Sequence, residues 1–140
     1  MASRSRNSRA ARYGTAVVLV NLLVNLVHGA AHLELCVDLS AAETLFVAVA
    51  IVAGPLLALV LLWTPWQRVG LGLLSVAMAG SLLFGLYRHF VAMGPDHVGA
   101  QAAGFWGITF VVTACLLFLA EAVGIYMGVR FLVSRQTSAT

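Results

Sequence analysis

Charge is what this sequence has least of. Only 9% of its 140 residues are Asp, Glu, Lys or Arg, while 61% are hydrophobic; a soluble domain carries about a quarter charged residues. With a mean hydropathy of +0.98, the deficit excludes an ordinary soluble domain, and the length suits a single one. Lysine is absent, so all eight basic residues are Arg. They sit in tails and a loop flanking apolar segments and do not build a folded basic face. Nucleic acid is therefore not an expected partner, despite a pI near 9.4.

Cysteine is scarce too. Cys36 and Cys115 form no CxxC pair and no zinc spacing. One is expected near a membrane surface and the other near mid-bilayer, too far apart for a disulfide. Met78, Met93 and Met127 make no MxxM run of the kind a copper(I) pathway favours. P-loop, GxSxG and GxGxxG signatures are all missing, which removes the chemistries they carry.

Long apolar runs are present instead. A spanning helix needs about 20 mostly apolar residues, and segments 15–35, 42–63, 69–92 and 103–129 qualify. Short connections predict antiparallel neighbours, so the expected fold class is an all-α integral membrane protein, an antiparallel up-down bundle of four transmembrane helices. Residues 1–14 read as a basic disordered cytoplasmic tail, 15–133 as the transmembrane domain and 134–140 as a cytoplasmic C-terminal tail. Arg4, Arg6, Arg9, Arg12, Arg68, Arg130 and Arg135 would share one side, with Arg88 alone opposite. The positive-inside rule then makes both termini cytoplasmic. Trp63 and Trp66, and on the other side Tyr87, Phe105 and Trp106, suit interfacial belts. The expected location is a bacterial cytoplasmic membrane, the lipid bilayer being the first partner and a homo-oligomer or larger membrane complex compatible with it. A signal peptide over 1–32 fits less well, because Asn21 and Asn25 interrupt its apolar centre.

The segment "NLLVNLVHGAAHLE" then stands out. Asn21, Asn25, His28 and His32 fall within a sector of roughly 60° on one helix face. Polar groups are costly in hydrocarbon, so this stripe should face the protein interior. In the third span Ala77, Ser81, Gly85 and His89 recur every four residues, a small-residue ladder permitting close helix approach and ending in a histidine. Glu121 lies deep in the fourth span at about the level of Asn25, making Asn21 and Asn25 its expected partners. "LYRHFVAMGPDHVG" brings Arg88, His89, Asp96 and His97 to the end where His28 and His32 lie.

The leading reading is a transition-metal site, with zinc, copper and iron not distinguished, built from His28, His32, His89, His97 and Asp96. Histidines at i and i+4 can point at one ion. A b-type haem between His32 or His28 and His89, with Arg88 facing a propionate, is one alternative. A proton relay from Glu121 through Asn25 to the histidines is another. The bland alternative is a structural or accessory subunit whose polar groups hold helices together. A membrane oxidoreductase stands behind these, because no nucleophile or cofactor signature supports it.

Some features read simply as structure. Ser40 and Glu43 in "SAAE" form a capping box, and Arg88 suits an ion pair with Asp96 or Glu34. Pro55 should kink the second helix, and Gly104, Gly107, Gly124 and Gly128 suit close packing.

Overall fold

The computed structural model describes residues 2–136, with side chains described for 8–134; Arg4, Arg6 and Arg135 are among the side chains outside that range. It is all helical: α1 (Ala2–Glu34), α2 (Ala41–Leu62), α3 (Gln67–Val91) and α4 (Phe105–Gln136). All four are long and apolar enough to cross a membrane. Their outward faces are apolar as well: Leu23, Val76 and Leu119 are each more than half exposed.

Helix α1 begins well before the expected boundary at residue 15. Ala10 and Ala11 are buried, and a Cβ at Gly14 would touch Leu62, so residues 8–14 of the segment expected as a tail run as helix and pack through these positions. At its other end α1 closes in a Schellman turn. Cys36 takes a left-handed φ of 53°, its N–H donates to the Leu33 carbonyl at 3.2 Å, and the Val37 N–H donates to the His32 carbonyl at 3.0 Å. Ser40 then opens α2 with the expected capping box, its backbone N–H donating to Glu43 at 2.8 Å.

Two helices widen locally into π-helix. In α2 the segment Val47–Ala53 immediately precedes Pro55. Proline cannot donate to the carbonyl one turn back, and the wider ladder absorbs the mismatch, with Gly54 N–H donating to Val49 O. In α3 the segment Tyr87–Val91 carries Arg88 and His89 and ends as Ala92 N–H donates to Tyr87 O at 2.7 Å.

Helix α4 packs chiefly on α3 and α1, and α3 on α2. Val18, Leu62, Leu71, Leu74 and Met78 form the apolar core. Two of the expected glycines permit this approach. A Cβ at Gly124 would come 2.9 Å from Met78, and one at Gly128 would come 3.1 Å from the Leu71 carbonyl. Such close approach lets dispersion act across the contact between α3 and α4.

Candidate metal centre

His28 and His32 project one turn apart from α1 toward His89 of α3. Among the described residues these three histidines form a cluster that could hold a metal ion, with one ligand atom from each lying within 4.8 Å of the others. His28 and His89 are buried and His32 nearly so. The rings also pack on one another, with His28 centroids 4.8 Å from His32 and 4.9 Å from His89. Phe110 of α4 lies against all three, at 4.7 to 5.3 Å.

The hydrogen bonds around the rings decide where their protons sit. A neutral imidazole has one donor nitrogen and one lone pair. Nδ1 of His32 is 3.2 Å from the Val37 carbonyl and Nδ1 of His89 is 3.0 Å from the Asp96 carbonyl. A carbonyl only accepts, so both nitrogens donate. Nδ1 of His28 is 2.8 Å from the Thr113 hydroxyl. That hydroxyl donates to the Thr109 carbonyl at 2.6 Å, which leaves it to accept from His28. As neutral rings, His28 and His89 thus carry their proton on Nδ1 and their lone pair on Nε2, whereas Nε2 of His32 also faces the Asp96 carboxylate at 3.3 Å, a contact that calls for a proton or a cation between them. The Nε2 atoms of His28 and His89 then stand 3.3 Å apart, lone pair to lone pair.

Local folding produces each of these contacts. The left-handed turn at Cys36 swings the Val37 carbonyl back over His32. The loop after α3 carries the Asp96 carbonyl to His89, and the i−4 bond of Thr113 turns its hydroxyl toward α1.

Asp96 borders the cluster without joining the three-histidine set. One carboxylate oxygen lies 3.3 Å from His32 Nε2 and 3.1 Å from His89 Nδ1, and the other accepts from Arg88 at 3.0 Å. Burial pushes this carboxyl up, but the hydrogen bond from His89, the positive charge of the His89 and His32 rings when they are protonated, and the hydrogen bond from Arg88 outweigh it and lower the pKa to about 2. Arg88 also meets Glu43 at 3.0 Å, tying the start of α2 to the loop that holds Asp96.

His97 does not join the cluster. Its Nδ1 accepts from the Gly99 N–H at 3.0 Å and caps the short 3-10 turn Val98–Ala100. Six residues beyond the end of α3, it is committed to local backbone.

Glu121 pairs with the hydroxyl of Ser81 and with neither asparagine. Asn25 instead donates to the Asn21 backbone carbonyl at 3.0 Å. The Asn21 side chain is wholly buried with neither amide atom hydrogen-bonded. The thread expected from Glu121 through Asn25 is therefore interrupted at both asparagines.

A cavity of about 670 Å³ joins the three histidines and Asp96 to Ser81 and Glu121. Sequence reasoning missed the roles of Thr113 and Phe110. Both lie in an uninterrupted apolar run, and nothing local marks the face of α4 that meets α1. Ser81 appeared only as a small residue of the packing ladder. Comparison with protein-family models, curated proteins and solved structures finds no match.

Proposed function

We propose that this is an integral membrane protein that binds one first-row transition-metal ion through the Nε2 atoms of His28, His32 and His89. The observation carrying the reading is that all three Nδ1 atoms are already committed to acceptors, which leaves Nε2 of each ring for a cation, while one ligand atom from each ring lies within 4.8 Å of the others. Metal-bound histidines usually have their second nitrogen held in this way. For metal–nitrogen bonds of about 2.0–2.1 Å, tetrahedral ligands stand about 3.3–3.4 Å apart, and the His28–His89 separation is 3.3 Å. Without a cation or a shared proton between them, the two lone pairs repel.

Neutral imidazoles with a carboxylate beside them suit zinc, copper(II) or iron(II) better than copper(I), which prefers thiolate and thioether. Haem fits less well. The His32 and His89 rings are 5.9 Å apart, both lie against Phe110, and His28 touches each, so a planar macrocycle would have to break that packing. Asp96 acts as an outer partner that orients His89 and balances the ion's charge.

The helices cross a bacterial cytoplasmic membrane as an up-down antiparallel bundle with both termini inside. Seven of eight arginines at one end support that orientation, which puts the histidines toward the extracytoplasmic surface. The protein acts as a binding component, with a redox or transport role the functional class this site suits.

The test is elemental analysis and a visible spectrum on protein purified in mild detergent without chelator. About one metal per chain is expected, lost in His89→Ala and kept in His97→Ala, with both variants monodisperse by size-exclusion chromatography. Wild-type protein that stays metal-free after challenge with zinc, copper and iron salts would overturn the proposal. A Soret band would replace it with the haem reading.

A further inference from the structure

The cavity beside the histidines is larger than an ion needs. At about 670 Å³ it falls within the size of small-molecule sites, roughly 300–1,000 Å³. Its walls are Leu26 and Gly29 of α1, Val47 and Ile51 of α2, Leu82 of α3 and Phe118 of α4. These are the apolar surfaces of helices that would lie in lipid.

The cavity also has a side entrance. Helix α1 packs on α2 through the Gly54–Leu62 half and makes no comparable packing with the Ala41–Ala53 half. At the tightly packed end Trp63 donates to Thr15 at 3.0 Å. The two helices therefore diverge toward the histidines, between Gly29 on one side and the π-helical Val47–Ala53 on the other. Leu26 and Leu33, which line the same cavity, are 73% and 81% exposed at its margin. In a membrane that margin faces acyl chains.

Charge narrows what can enter. Asp96 and Glu121 both line the cavity, and neither Arg nor Lys does. An anionic head would meet the Asp96 carboxylate beside the histidines and no basic side chain to hold it. The Ser81 hydroxyl and Glu121 satisfy each other at the far end. Glu121 lies eight residues along α4 from Thr113, roughly 12 Å deeper at about 1.5 Å per residue. Three protein ligands leave a tetrahedral ion one position for a non-protein ligand, and this cavity adjoins the three histidines.

We infer that the cavity admits a neutral, lipid-soluble molecule from the bilayer side, which presents a carbonyl or hydroxyl oxygen to the ion held by His28, His32 and His89. This rests on the metal reading above. The apolar remainder of the molecule lies along Ile51, Leu82 and Phe118. A quinone and a long-chain alcohol share this chemistry.

The test uses full-length protein loaded with Co(II), whose visible bands report the coordination sphere. Decylbenzoquinone and dodecanol are titrated separately, with dodecanoate as the anionic comparison. Two variants narrow the cavity from opposite walls without touching a histidine side chain: Gly29→Leu, at a position where a Cβ meets nothing within 4 Å, and Ile51→Trp. The expected result is that at least one neutral probe shifts the wild-type bands and dodecanoate does so more weakly. Either variant that keeps the Co(II) spectrum should need roughly tenfold more probe, or more. Which neutral probe acts separates quinone from alcohol. A wild-type Co(II) spectrum that no neutral probe shifts overturns the inference and leaves the metal reading standing. So does an equal response in both variants. Failure of the wild type to take up Co(II) overturns both.

Discussion

The hydroxyl of Thr113 on α4 lies 2.8 Å from Nδ1 of His28 on α1, and it has only its acceptor side to offer. Its own proton is engaged by the Thr109 carbonyl. This one contact between two helices selects the tautomer of His28 and aims Nε2 at His89.

Thr113→Val removes the acceptor while keeping the shape of the side chain. Loss of such an outer partner typically costs about 10–100-fold in metal affinity, and a fall of that order is expected in competition with a chelator. Thr113→Ser should restore most of it. An unchanged affinity in Thr113→Val would mean that Nε2 of His28 is not a ligand.

Asp96→Asn keeps the backbone carbonyl that holds His89 and removes the charge between Arg88 and the histidines. The partly buried ion pair with Arg88 is lost, and the Glu43–Arg88 pair remains. Expected are weaker metal retention and faster proteolysis in 92–104, with the four helices intact by circular dichroism. Full retention would show that the carboxylate is not part of the ion's charge balance.

Asn21 has a wholly buried side chain with no hydrogen-bond partner for either amide atom. An unsatisfied buried polar group costs about 1–3 kcal/mol, so Asn21→Leu, which keeps the branched outline of the side chain without its polar atoms, should raise the unfolding temperature in detergent. Metal content should not change. A lower unfolding temperature would show that the amide has a partner contributed from outside this chain or by bound water.

Cys36 holds a left-handed conformation, which costs a non-glycine residue roughly 1–2 kcal/mol. Cys36→Gly should stabilise the protein by up to about that amount. Cys36→Val should destabilise it and loosen His32, whose Nδ1 bonds the carbonyl of the next residue. Paired unfolding and chelator-competition measurements on the two variants check this. Equal unfolding temperatures would mean that the turn relaxes around either side chain.

Four helices of membrane-crossing length were legible in composition and run length, because length and hydropathy are properties of each segment by itself. The pairing of Ser40 with Glu43 was legible for the same reason: its partners lie within one turn. His28 and His32 could be put on one face from their spacing, and His89 at a matching depth from the rise of a helix. Their convergence depends on how α1, α3 and α4 pack, as does the exclusion of His97, which its loop turns toward its own backbone. The partnership of Glu121 with Ser81 in place of Asn21 or Asn25 has the same origin. Thr113 and Phe110 carry no local mark because their roles exist only where α4 meets α1. Local periodicity and hydropathy determine what each segment becomes, since those forces act within a few residues. Contacts between segments distant in sequence decide which nitrogens keep their lone pairs, because a proton's position answers to whatever acceptor the neighbouring helix brings within 3 Å or so.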